Sequence, residues 1–229
     1  MNKITILIPV YNELNTLELI IQKVEETDLC GLEKEIILID DYSTDGTREI
    51  LKNLEAKYKV LYHEKNQGKG AALRTGFKNM TGDVVIIQDA DLEYNPKDYE
   101  ELIKPVVEGR CDVVYGSRLM NKPDKSFMLT HLLGNKLITF VGNVLYGKKL
   151  TDLETCYKVF NRNILQGVEI KSNRFDFEPE ITAKILKKKA RFMEMPISYN
   201  GRGHDEGKKI TWKDGFGAIW ALVRFRFSD

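Results

Sequence analysis

Apolar positions in the first half of the chain alternate between two patterns. Ile4 to Val10, Glu35 to Ile39, Val60 to His63, Val84 to Ile87 and Asp112 to Tyr115 are short runs rich in β-branched residues, and each predicts a strand. Between them the apolar residues recur at helical spacing. Leu17, Ile20, Ile21 and Val24 form one stripe behind Asn15 or Thr16, either of which suits a cap. Ile50, Leu51, Leu54 and Tyr58 form a second stripe, and Ala71, Ala72, Leu73 and Phe77 a third. Tyr99, Leu102, Ile103 and Val106 follow Pro96, which sits where a first-turn proline belongs. Strand–helix alternation predicts an α/β fold with a mostly parallel sheet, right-handed crossovers and flanking helices.

After Arg118 the alternation stops. Lys122 to Lys125 reads as a polar loop, and Leu132 to Tyr146 as an amphipathic helix with Leu133, Leu137, Val141 and Val144 on one side. Thr151 to Phe160 reads as a turn and a strand, Phe177 to Lys189 as a helix, and Phe192 to Tyr199 as the last strand. Gly201 to Lys209 is a glycine-rich basic loop. Trp212, Phe216, Ile219, Trp220, Val223 and Phe227 mark a terminal amphipathic helix.

Polar residues collect where the predicted strands end. Tyr11 and Glu13, Asp40 and Asp41, Asn66 to Lys69, Asp89 and Asp91, and Arg118 all fall there, where open α/β sheets bind ligands. The Val84 to Ile87 strand ends in Gln88-Asp89-Ala90-Asp91, and side chains at i and i+2 of an extended segment point the same way. Two converging carboxylates suit Mg²⁺ or Mn²⁺, which take oxygen ligands. The 229 residues are 42% hydrophobic and 30% charged, enough for one domain with a sizeable core. A net charge of +1 leaves no global field for nucleic acid. Cys30, Cys111 and Cys156 match neither a disulfide framework nor a zinc pattern, which points to a reducing, cytoplasmic location. The start of the chain reads as a first strand rather than a signal peptide, and no run is long enough to span a bilayer.

Pro9-Val10-Tyr11-Asn12-Glu13, Asp40 to Gly46, Asn66 to Gly70 and Asp89-Ala90-Asp91, in that order, resemble family 2 glycosyltransferases. Gly116-Ser117-Arg118, Glu154 to Lys158 and Glu206 to Lys209 look like the dolichyl-phosphate mannosyltransferase group and its bacterial polyprenyl-phosphate relatives. The resemblance implies a single GT-A (Rossmann-like) domain over residues 1–229. Its 1–118 half would bind the nucleotide sugar. Its 119–229 half would bind the acceptor and carry the amphipathic terminal helix.

The resemblance also implies roles. Pro9, Tyr11, Glu13, Asp40, Lys69 and Asp89 would bind a donor such as GDP-mannose or UDP-glucose, with Tyr11 stacking on the base. Asp89, Asp91 and Glu93 would hold Mg²⁺ or Mn²⁺ against the diphosphate. Arg118, Arg202, Lys208 and Lys209 would meet the phosphate of a polyprenyl or dolichyl acceptor. Asp91, Asp152 and Arg118 are the catalytic candidates, and Asp152 would be the general base if the acceptor were a hydroxyl. The implied activity is inverting hexosyl transfer at the cytoplasmic membrane face by a peripheral protein. The other readings are a soluble sugar or protein hydroxyl acceptor, or a non-catalytic nucleotide-sugar-binding module.

Overall fold

The computed structural model describes residues 1–120, 129–201 and 212–228. Its strands are β1 (Lys3–Val10), β2 (Glu33–Asp40), β3 (Lys59–Tyr62), β4 (Val84–Ile87), β5 (Val113–Ser117), β6 (Lys158–Asn161) and β7 (Phe192–Pro196). The helices are α1 (Leu17–Glu26), α2 (Thr47–Leu54), α3 (Lys69–Asn79), α4 (Tyr99–Val107), α5 (Leu129–Tyr146), α6 (Arg162–Leu165), α7 (Phe177–Lys187) and α8 (Trp212–Phe227). The strands form a sheet in the order β3-β2-β1-β4-β6-β5-β7. All neighbours are parallel except β6, which runs antiparallel to both β4 and β5.

The alternation in the sequence fixes this layout through burial. All four residues of β4 are buried, as an inner strand covered on both faces requires. Burying aliphatic side chains of this size contributes about 1.5–3 kcal/mol each. α3 lies across β1 and β2, and α4 across β5 and β6, while α5, α7 and α8 pack on one another. Pro9 lies beyond the β1 residues that pair with β4, Ile4 to Leu7, so the donor it lacks is not missed by that neighbour.

Local signals differ from expectation in small ways. Thr16 occupies the N-cap of α1 but does not cap it, because its hydroxyl donates to Glu13 Oε2 at 2.8 Å. Pro96 opens a short 3₁₀ turn, Pro96–Asp98, ahead of α4, capped by Asn95, whose Oδ1 accepts from Lys97 N at 3.2 Å. α2 ends at Leu54, so Tyr58 lies beyond it. The last strand ends at Pro196, and Tyr199 instead forms an isolated bridge with Tyr94.

Candidate active site

The carboxyl ends of β1, β2 and β4 each lead into a non-glycine residue in the left-handed region: Asn12 (φ 53°), Tyr42 (φ 67°) and Leu92 (φ 64°). Such conformations cost on the order of 1 kcal/mol or more for a bulky residue and collect at ligand sites. Polar contacts hold them. Asn12 N donates to Ser43 Oγ at 3.0 Å, Thr44 N to Asn12 Oδ1 at 2.8 Å, and Glu13 N to Thr47 Oγ1 at 3.0 Å. The turn carrying Tyr11 is thereby laced to the turn after β2.

Asp40 and Asp41 divide the work at the end of β2. Asp40 is buried, and its Oδ1 accepts from Ser43 N at 3.1 Å. Its Oδ2 lies 3.0 Å from Arg48 Nε in an ion pair without hydrogen-bond geometry. Arg48 sits over the Tyr42 and Tyr62 rings. Asp41 anchors the next loop: its carboxylate accepts from Gln67 N at 2.9 Å, Gly68 N at 2.7 Å and His63 Nδ1 at 2.8 Å. Nothing in the sequence separated this role from that of Asp40.

The Asn66–Gly70 loop opens α3 under tight constraint. Gly68 has φ +98°, and a Cβ there would lie 2.4 Å from the Asn173 carbonyl. A Cβ on Gly70 would lie 2.6 Å from the Ser172 carbonyl. The loop delivers Lys69 Nζ to Asp89, 2.9 Å from Oδ1 and 3.0 Å from Oδ2, and to Glu178 Oε1 at 2.9 Å. Burial works against the ammonium, but the charges of Asp89 and Glu178 outweigh it and hold Lys69 well above the usual lysine range. Glu178, on α7, lies 109 residues beyond Lys69 with no strand-end position to mark it.

The Asp89–Glu93 segment holds the three carboxylates expected at a metal. Asp91 Oδ1 accepts from Glu93 N at 3.1 Å, while Glu93 Oε2 accepts from Tyr199 Oη at 2.7 Å. Among the described residues no group of three or more His, Cys, Asp or Glu side chains is placed to hold a metal ion. Asp89 contacts Lys69, and Glu93 is turned to Tyr199. Asp89 and Asp91 alone still fit Mg²⁺ or Mn²⁺, since such ions take one or two carboxylates and complete their shell with substrate oxygens.

Arg118 and Asp152 form the second charged centre. The guanidinium binds the carboxylate in a fork, Nε to Oδ2 at 2.7 Å and Nη2 to Oδ1 at 2.8 Å, and Arg118 N adds a third bond at 3.0 Å. Asn135 of α5 donates to Asp152 Oδ1 at 2.7 Å and accepts from Thr139 Oγ1 at 3.1 Å. Arg118 also lies 5.2 Å from the Tyr199 ring and 5.9 Å from the Tyr94 ring. Burial pushes the Asp152 carboxyl up, but the Arg118 charge and the hydrogen bonds from Arg118 and Asn135 leave it below the usual range. Both oxygens of this fully buried carboxylate are thus engaged, by Arg118 and Asn135. Arg202, Lys208 and Lys209 lie outside the described residues.

α5 turns its polar residues inward. Asn135 and Thr139 are buried, whereas Leu133, Leu137, Phe140 and Val144 are 55–66% exposed. α8, packed beside it, buries Ala218, Ala221, Leu222 and Phe225, and leaves Phe216, Trp220 and Phe227 66–81% exposed. Among the described residues no helix is long and apolar enough to cross a membrane.

Comparison with known proteins matches residues 5–168 to the glycosyl transferase family 2 model. A dolichol-phosphate mannosyltransferase of Pyrococcus furiosus is 30% identical over 211 residues, 90% of this chain; the chain spans 59% of that relative's length. A UDP-N-acetylglucosamine–dolichyl-phosphate N-acetylglucosaminyltransferase of Methanococcus voltae is 28% identical over 244 residues, covering 97% of this chain and 96% of the relative. Glucosyl-3-phosphoglycerate synthase of Mycobacterium tuberculosis, solved with Mn²⁺, UDP and phosphoglyceric acid, superposes with a TM-score of 0.75 at 18% identity, covering 100% of this chain and 80% of that one. The same enzyme with Mg²⁺ and UDP gives 0.72 at 18% identity, covering 100% and 80%. These neighbours share the GT-A-like fold of helices around a mostly parallel sheet.

Proposed function

Because the chain belongs to glycosyl transferase family 2, we propose that it transfers a hexose, with inversion, from a nucleotide sugar to a polyprenyl or dolichyl phosphate at the cytoplasmic membrane face. One observation carries the choice of acceptor. α5 presents Asn135 to the Arg118–Asp152 pair on one side and an apolar row to the exterior on the other. A lipid phosphate needs both: a cation for its headgroup and an apolar surface for its chain. The relatives named for dolichyl-phosphate transfer point the same way. The free cysteines fit a reducing compartment.

In this reading Tyr11 stacks on the base, and Pro9 and Glu13 shape its pocket. Asp40 Oδ2 accepts from base or ribose, and Lys69 faces the diphosphate. Asp89 and Asp91 would hold Mg²⁺ or Mn²⁺, which would neutralise charge building on the departing nucleoside diphosphate. Arg118, with Arg202, Lys208 and Lys209, grips the acceptor phosphate. A phosphate oxygen attacks the anomeric carbon, the bond from that carbon to the diphosphate oxygen breaks, and the electron pair leaves with the nucleoside diphosphate. The acceptor is already anionic near neutral pH, since a phosphomonoester's second pKa is about 6, so no base is required. This agrees with the engagement of Asp152.

The test is a transfer assay with Mg²⁺ or Mn²⁺, GDP-mannose, UDP-glucose and UDP-N-acetylglucosamine as donors, and either a short polyprenyl phosphate or phosphoglycerate as acceptor. The expected result is sugar in the lipid phase with one donor and none on phosphoglycerate. The glucosyl-3-phosphoglycerate synthase likeness supports a second reading, a soluble acceptor. Product on phosphoglycerate alone would establish that reading and overturn the first.

A further inference from the structure

Between the two charged centres lies a carboxyl that none of these roles uses. Glu154 stands two residues after Asp152, the partner of Arg118, and two before Cys156, whose Sγ lies 3.9 Å from the Ile87 carbonyl and beside Asp89. The charged groups acting on it come from both sides of the cleft: Glu178 of α7, Lys158 of β6, Arg118 and Asp152. None of them satisfies it. Glu154 Oε1 is buried without a hydrogen-bond partner. The nearby ammonium of Lys158 donates instead to the Leu153 and Thr155 carbonyls. Leaving a buried polar atom of this kind without a partner destabilises the fold. A bound ligand is one partner that would complete it. Burial, reinforced by the like charge of Glu178, raises the carboxyl to about 8 against the opposing pull of Lys158 and Arg118. A neutral carboxyl both donates and accepts, and a sugar hydroxyl does the same.

We propose that Glu154 is a specificity-determining residue that hydrogen-bonds one hydroxyl of the transferred sugar. This rests on the reading that Lys69 and Asp89 mark the donor diphosphate and Arg118 the acceptor phosphate. The part of the substrates that lies between those two groups is the hexose.

The experiment compares wild type, Glu154→Leu and Glu154→Gln on the parent nucleotide sugar and on its monodeoxy analogues, with whichever acceptor wild type uses. Glu154→Leu lowers kcat/KM about 10–100-fold on the parent donor. The deficit vanishes on the one analogue lacking the hydroxyl that Glu154 reads, because there wild type has lost the same bond. Glu154→Gln, which keeps a neutral donor and acceptor, recovers about tenfold of the loss. Affinity for the free nucleoside diphosphate stays at the wild-type value in all three. An equal deficit on every analogue, or none on the parent, overturns the proposal. If Glu154→Leu fails to fold, Glu154→Ala enters the same comparison. Failure of the lipid-acceptor reading shows separately, as wild type giving no lipid-linked product, and leaves the donor comparison intact.

Discussion

The proposed donor and acceptor sides of the cleft are built by different means. The donor side is made of strand ends whose backbone is held in left-handed turns, with loops pinned by one buried carboxylate, Asp41. Its polar groups meet because short segments leave adjacent parallel strands. The acceptor side is a buried ion pair whose members are 34 residues apart, steadied by a helix residue 17 positions from Asp152. That helix has its apolar row outside. The donor side therefore depends on local backbone geometry, and the acceptor side on long-range packing of charge.

The largest effect that tests this contrast is at Asp152. Asp152→Ala strands Arg118 inside the protein, and removing one partner of a buried pair costs about 3–5 kcal/mol. Calorimetry should show that fall, and kinetics a raised KM for the acceptor with the donor KM little changed. A kcat lost by several orders of magnitude at unchanged stability and acceptor KM would restore Asp152 as a base. On the donor side the matching change is Gly68→Ala, where a left-handed φ and a carbonyl 2.4 Å from the new Cβ both oppose the methyl group. It should cost about 1–3 kcal/mol and act on the donor KM. Equal movement of the acceptor KM would erase the contrast.

The acid limb of stability is a smaller test. Asp152 has its folded value depressed, so its stabilisation is present above the unfolded value of about 3.9 and is lost as pH falls through the folded value. The thermal midpoint should drop below about pH 4 in wild type. In Asp152→Asn that drop should be shallower, since the titrating group is gone. The smallest effect on the fold is at the exterior. Phe140→Ser and Trp220→Ser should leave stability within about 0.5 kcal/mol of wild type. Co-sedimentation with anionic lipid vesicles should fall in both. Unchanged sedimentation would remove the membrane from the acceptor side.

The same contrast explains what was legible in the sequence. β1 to β5 stand out as runs rich in β-branched residues, and the Asp89–Asp91 tip because carboxylates close one of those runs. The contact of Glu93 with Tyr199 could not be read, because the two lie 106 residues apart. Periodicity marked an apolar stripe on α5, but Leu133, Leu137 and Val144 face outward while Val141 packs with Ile138 against the core and Asn135 reaches Asp152. The clamp role of Asp41, the bridge from Lys69 to Glu178 and the orphaned oxygen of Glu154 appear only once separate elements approach.

The place of β6 has a consequence for synthesis. It lies between β4 and β5, and β5 reaches the rest of the sheet only through it. A chain emerging from the ribosome thus exposes the ends of β1 to β5 by Arg118, yet β5 has no neighbour to join until residues 158–161 are made. Until then the free edges of β4 and β5 are open to pairing with other chains. The half of the protein that reads as self-contained is finished by a strand from the other half, so its sheet closes only after residues 158–161 have been made.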